Sequence, residues 1–195
     1  MRRLLLVFPV LAVLMTLSAC GINTIPTQQQ QVQAAWSQVL NEYQRRADLI
    51  PNLVATVKGY ARHERRVLTE VTDARSRVTA TPIPADVLTN PQAFHSFEKN
   101  QAQLGAALSR LMVVTENYPN LKADQNFLTL QSQLEGTENR IAVARRDYIL
   151  AVQRYNTELT TYPGRWWADL LYKDAHVMQN FTIAHSAMSV PPVHF

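Results

Sequence analysis

The chain is expected to be all-α, an antiparallel up-and-down bundle of three long helices followed by a short C-terminal helix. Three observations carry this expectation. Apolar residues recur at spacings of three and four from Val32 onward to Leu159, the mark of helices that turn one face to a core. The 195 residues include only five glycines, all isolated. Helix-interrupting prolines and asparagines gather at 82–91, 117–120 and 163, so the pieces between them are long and the connections short.

The N-terminus reads as an address. Arg2 and Arg3 precede an apolar run over 4–17 that ends in Leu17-Ser18-Ala19-Cys20. Fourteen residues fall short of the roughly 20 needed to cross a hydrocarbon core, and Pro9 interrupts them. A positive flank, a short apolar segment and small residues before a cut site describe a secretory signal. The last four residues resemble the lipobox of bacterial lipoproteins, which implies that Cys20 is acylated and becomes the first mature residue. The alternative is an uncleaved signal anchor. Either one places the rest of the chain outside the cytoplasm, in the cell envelope. Gly21 after Cys20 resembles lipoproteins sent on to an outer membrane, in hosts that have one. Cys20 is the only cysteine, so the exported domain has no internal disulfide and stands on packing alone. The expected division is a signal peptide over 1–19, a lipidated tether over 20–27, a helical bundle over 28–172 and a tail over 173–195.

The formal charge is +4, and removal of Arg2 and Arg3 would leave +2. That is no nucleic-acid footprint, and export argues the same way.

The first long helix is expected from residue 28, with Thr27 and Gln30 in the form of a capping box. Its apolar positions run through Val32, Trp36, Val39, Tyr43, Ala47, Ile50, Val57, Leu68, Val71 and Val78. Pro51 falls in the middle, where a proline removes a backbone donor and clashes with the preceding turn, so a built bend is expected. Asn90-Pro91 starts the second helix as a cap followed by a proline at the first helical position. Phe94, Phe97, Leu104, Leu108, Leu111 and Val114 mark its face, and it ends at Asn117-Tyr118-Pro119-Asn120. The third helix begins near Leu121 and carries Phe127, Leu130, Leu134, Ile141, Ala144, Tyr148, Tyr155 and Leu159 before Pro163. Gly59, Gly105 and Gly136 lie inside these helices, where glycine is unfavourable, which suggests close approach of neighbouring backbones. Arg165-Trp166-Trp167-Ala168-Asp169-Leu170-Leu171 is a short amphipathic segment that either caps the bundle or lays its tryptophans in a membrane interface. Periodicity fades from Lys173 onward.

Charges interrupt the seams. Arg45, Arg46, Asp48 and Glu64 on the first helix, with Glu135, Glu138 and Arg140 on the third, are expected to form a structural polar cluster, because buried charges are costly unless paired. Equal rise per residue along alternating helices sets the third helix parallel to the first. That geometry brings Glu135 and Glu138 level with Arg62, Glu64, Arg65 and Arg66, and puts Ile50, Phe97 and Leu134 in one dry interior.

Several of these stretches are those of a known family. Trp36, Gln44-Arg45-Arg46-Ala47-Asp48-Leu49-Ile50-Pro51-Asn52-Leu53-Val54 and Thr56-Val57-Lys58-Gly59-Tyr60-Ala61 closely resemble the signature of LemA family proteins. So do Tyr118-Pro119-Asn120-Leu121-Lys122-Ala123, the run from Leu130 to Ala142, and Ala144-Arg145-Arg146. The resemblance covers about 28–163 and implies a bacterial, envelope-associated, antiparallel helical bundle, tethered at its N-terminus and without an established activity. The chain departs from the pattern in its lipobox, in Ile149 where an asparagine is usual, and in His194 within a Pro191-Pro192-Val193-His194-Phe195 ending.

Motifs for chemistry fail on spacing. His63-Glu64 would open a zinc helix motif, but the second histidine is due at Val67. Di-iron bundles need Glu-x-x-His, and Tyr60 and Gln92 stand three before His63 and His95. His176, His185 and His194 recur nine apart, a spacing that fits no metal site on a regular element. No cofactor is expected. The expected function is therefore an interaction or scaffold module that is not an enzyme, held to membrane lipid through Cys20 and displaying helical faces to an envelope protein partner. The alternative is an envelope hydrolase or accessory enzyme using Glu135 and Glu138, three apart on one helix face, as an acid and base pair.

Overall fold

The computed structural model describes residues 21–61 and 63–182. Among them lie six helices and no strand: α1 (Thr24–Tyr60), α2 (Arg65–Ala80), α3 (Pro91–Thr115), α4 (Pro119–Lys122), α5 (Gln125–Thr160) and α6 (Gly164–Leu171). The expected signal over 1–19, the expected lipidation at Cys20 and the last part of the expected tail lie outside the described residues.

Two rods of nearly equal length carry the fold. α1 has 37 residues and α5 has 36. α1 buries Ile25, Val32, Trp36, Val39, Tyr43, Ala47, Ile50, Leu53 and Val57, and α5 buries Phe127, Leu134, Ile141, Ala144, Tyr148, Val152, Tyr155 and Leu159. The spacing of three and four in both lists makes each an apolar stripe, and the stripes meet. Trp36 lies against Tyr148 with ring centroids 5.3 Å apart, Arg140 reaches Glu42 at 2.9 Å, Arg46 reaches Glu138 at 2.9 Å, and Tyr60 reaches Asp124 at 2.8 Å. Residue numbers therefore fall along α5 as they rise along α1.

This differs from the expected parallel climb of the third helix, and the cause is a reversal that periodicity conceals. The first helix ends at Tyr60, and α2 folds back along it, so that Arg75 Nε donates to the Ala47 carbonyl at 2.9 Å. A continuous rod to residue 78 would leave its second half without a partner. Reversed, α2 buries Leu68, Val71 and Ala74 beside Ile50, Leu53 and Val57, and burial of an amphipathic face supplies most helix stability. Glu64 and Arg65 stand where the seam would need apolar residues, and they mark the turn. At that turn Glu64 accepts from the Tyr118 hydroxyl at 2.9 Å.

Pro51 is exposed and lies within α1 without ending it. Its missing N–H leaves the carbonyl four residues earlier, that of Ala47, without its helical donor. Ala47 O is the acceptor that Arg75 takes, so the proline supplies a docking point for α2.

Asn90 caps α3 as its sequence predicts, its Oδ1 accepting from Gln92 N at 3.1 Å and Ala93 N at 3.2 Å. Asp124 does the same for α5 with Asn126 N and Phe127 N. The capping box at Thr27 is not formed, because α1 begins earlier, at Thr24. The internal glycines do not mark backbone contact. A Cβ on Gly59 would meet nothing within 4 Å, and on Gly105 and Gly136 only the guanidinium groups of Arg46 and Arg140 at 4.0 and 3.5 Å. Gly164 is the one that is sterically required, since a side chain there would run into the Glu158 backbone carbonyl at the start of α6.

The interior is split in two rather than continuous. Ile50 and Leu134 belong to an aliphatic cluster with Leu53, Val57, Leu104, Leu111, Leu121 and Phe127. Phe97 packs instead against an aromatic cluster built on Trp36, Tyr43, Phe94, Tyr148, Tyr155 and Phe181. Met178 and Phe181, which the sequence places in a tail, are buried in that second cluster, and Gln179 N donates to the Leu88 carbonyl at 2.6 Å.

Candidate functional site

Between the two cores lies a belt of charge. Glu42 and Arg46, four apart on α1, share one face of that helix and are 8% and 4% exposed. Glu138 and Arg140 answer from α5. Arg46 Nη1 donates to Glu138 Oε1 at 2.9 Å, while Nη2 donates to Gln101 of α3, to the side-chain oxygen at 2.8 Å and the backbone carbonyl at 3.2 Å. The guanidinium also lies over the Tyr43 ring, 5.0 Å from its centroid. Its Nε is buried without a hydrogen-bond partner.

Arg140 Nε donates to Glu42 Oε2 at 2.9 Å, and its Nη2 to Thr137 Oγ1 at 2.7 Å. Thr137 is fully buried and donates in turn to the Gln133 carbonyl of its own helix. The other Glu42 oxygen accepts from Gln38 at 3.3 Å. One helix carries acid then base along its length, the other carries acid then base in the reverse direction. The two pairs can form together only with the helices in opposed directions and in one register. Guanidinium suits this position because its planar fork serves two helices at once.

Burial pushes the Tyr43 phenol above its ordinary range, opposed in part by the positive charges of Arg145 and Arg46. At the turn end of the rods, Tyr60 donates to Asp124, which raises the phenol and helps hold the carboxyl below its usual range, alongside the Phe127 N–H.

The expected polar cluster is only partly assembled in space. Arg46, Glu138 and Arg140 meet at the belt. Glu64 sits at the α1–α2 turn with Tyr118. Arg45 and Asp48 face solvent, Asp48 accepting from Gln44 at 2.8 Å. Glu135 is exposed and accepts from Gln131 of its own helix at 3.0 Å; it does not face Arg65 or Arg66, and Arg66 pairs with Glu70. The reversal at 61–64 carries those arginines away from α5. Arg62 lies outside the described residues.

Glu42, Gln101 and Thr137 escaped the sequence reading. Glu42 had a signal, an acid four residues before Arg46 on the same face. Gln101 had one too, since it is the polar break at spacings of four and three between Phe97 and Leu104 in the apolar stripe of α3. A shallow groove of about 300 Å³ runs beside the belt along Gln38, Glu42, Asn139, Arg140, Val143 and Asp147. Its one buried acid, Glu42, is already held by Arg140 and Gln38. Among the described residues no three histidine, cysteine, aspartate or glutamate side chains are grouped to hold a metal ion, and no helix is long and apolar enough to cross a membrane.

Comparison with known proteins places this arrangement. The chain is 30% identical over 165 residues to magnetosome protein MamQ 2 of Paramagnetospirillum magneticum, an alignment covering 75% of this chain and 60% of that protein. It is 25% identical over 162 residues to magnetosome protein MamQ of Magnetospirillum gryphiswaldense, with the same coverage. It is 23% identical over 140 residues to protein LemA of Metamycoplasma hominis, covering 72% of this chain and 60% of the other. The chain thus spans about 60% of the length of these relatives. Residues 35–195 match the model of the LemA family, and the match takes in α1 from the level of Trp36, the charge belt and both cores: the chain belongs to the LemA family.

Proposed function

We propose that this chain is an antiparallel up-and-down helical bundle, tethered to a membrane of the cell envelope through acylated Cys20. In this reading it acts as a scaffold or interaction module for an envelope protein partner and not as an enzyme. The observation that carries the reading is how the charged residues are used. Arg46, Glu138, Arg140 and Glu42 bind one another across helices, so the groups that would do acid–base work instead fix direction and register. Glu135 and Glu138 have no common target: Glu135 is taken up by its own helix and Glu138 by Arg46. Membrane attachment is supported by the signal-like 1–20 sequence, whose short apolar run suits export and acylation better than spanning. The magnetosome proteins among its relatives lend support to a membrane setting.

Two substitutions test it together. Cys20→Ser should release the chain from the membrane fraction of envelope material. Glu138→Gln keeps an acceptor for Arg46 at a site nearly half exposed, so it should cost only about 1 kcal/mol of stability in urea unfolding and leave capture of partners by crosslinking in intact envelope unchanged. A Cys20 recovered as a free thiol by mass spectrometry defeats the tether. A Glu138→Gln protein of unchanged stability that has lost its cellular phenotype turns the reading to catalysis.

A further inference from the structure

The short helix α6 has two unlike faces. Trp167 and Ala168 turn inward against the aromatic core. Trp166, Leu170 and Leu171 turn outward, 63, 67 and 50% exposed, with Tyr162 63% exposed just before them and its ring 5.0 Å from that of Trp166. Large apolar side chains are seldom left in water in such a group without a surface to cover them.

The chain's other end lies on the same helix. Gly21, the first described residue, sits against Trp167, where a Cβ would come within 3.4 Å of its indole nitrogen. The next residue, Ile22, accepts through its carbonyl from the Tyr172 hydroxyl at 2.9 Å. The segment that carries Cys20 and the apolar run 4–17 is therefore joined to the bundle one residue from α6.

We propose that the outer face of α6, formed by Tyr162, Trp166, Leu170 and Leu171, lies in the headgroup–acyl boundary of the bilayer to which the N-terminus is fixed. This rests on the tethered reading above. Tryptophan and tyrosine favour that boundary, being apolar over most of their surface and able to donate a hydrogen bond at one edge. Eight residues offer far less area than the ~800 Å² per partner of a stable protein contact, so a second copy is a poor occupant. A bilayer needs no such area, because the tether already holds the helix at high effective concentration against the lipid. Two attachments, at residue 20 and at α6, then fix which end of the bundle meets the membrane.

The mature protein extracted from envelope membranes is reconstituted in phosphatidylcholine vesicles with brominated acyl chains, and tryptophan emission is compared with that of Trp166→Phe. The expected result is co-flotation, with a lipid-quenched component of the emission that the variant lacks. Leu170→Glu with Leu171→Glu should abolish that component while the protein still floats and keeps its helical circular dichroism. If the protein floats but iodide rather than lipid quenches Trp166, the inference fails and the tether stands. If Trp166 is shielded from both, the face is covered by a second copy, and the inference again fails. A chain that does not float defeats both the inference and the tether.

Discussion

The two cores of this bundle are built differently although the same two rods run through both. The aliphatic core, around Leu53, Leu104, Leu111 and Leu134, draws on α1, α2, α3 and α5. Around it the ridges of regular helices meet, and leucine and valine fill the spaces between them. The aromatic core lies beyond the reach of α2, whose 16 residues end at Ala80. There the fourth helix is missing. Its place is taken by Val87 and Leu88 from the connection before α3 and by Met178 and Phe181 from the segment after α6.

Irregular segments present no ridges, and large flat rings adapt to them. Trp36 has ring centroids 5.0 Å from Phe97, 5.3 Å from Tyr148, 5.8 Å from Phe94 and 6.3 Å from Phe181. Such tilted and edge-on pairs add about 0.5–1.5 kcal/mol each beyond burial. The site is dry enough that burial pushes the Tyr148 phenol well above its ordinary range, while its hydroxyl donates to the Gln179 carbonyl at 2.7 Å. Where a helical partner is lacking, aromatic area and a few backbone hydrogen bonds take over its role.

The largest effect should come from the hub of the aromatic core. Trp36→Ala removes the ring shared by three chain segments and should cost about 4 kcal/mol. Because α1 and α5 pass unbroken through both cores, near-ultraviolet and far-ultraviolet circular dichroism should report one coincident transition in urea. Two separated transitions would show the cores to be independent and break the comparison at its root.

Next is the belt that divides them. Arg46→Ala should cost about 3 kcal/mol, since it leaves Gln101 and Glu138 without their shared donor and opens space beside Tyr43. Arg46→Met, which fills that space with apolar atoms but likewise leaves Gln101 and Glu138 without a donor, should recover only about 1 kcal/mol of the loss in the same unfolding assay. A Met variant as stable as the natural chain would mean that the volume, and not the charge, holds the cores in register.

The smallest effect concerns the aliphatic half. Arg75→Ala should cost about 1 kcal/mol in the natural chain and almost nothing once Pro51→Ala has restored the Ala47 carbonyl's own helical donor. A double-mutant cycle with no coupling would detach the proline from the docking of α2.

How much of this was legible in the sequence differs from feature to feature. Asn90-Pro91 announced a helix start, because a side-chain acceptor and a preset φ act locally. The stripe of Val32, Trp36, Val39 and Tyr43 was equally plain. The reversal after Tyr60 was not, since Leu68, Val71 and Ala74 after the turn continue the rhythm of Ile50, Leu53 and Val57 before it. At the site, Arg46, Glu138 and Arg140 stood out as charges in a seam, but nothing in their spacing says that Arg46 meets Glu138 while Glu135 meets only Gln131.

The sequence by itself determined that the chain is helical, where α3 starts, where α3 and α5 stop, and which face of each long helix is apolar, because these follow from dihedral preferences and from periods of three and four residues. The tertiary structure alone decided that α2 turns back, that α5 opposes α1, that Glu42 pairs with Arg140 across 98 residues of chain, and that Phe181 completes a core. Periodicity defines a face without naming its partner. The partner is selected by which pairing of faces buries the most apolar surface while leaving each buried charge matched, and that sum is taken over residues far apart in the chain.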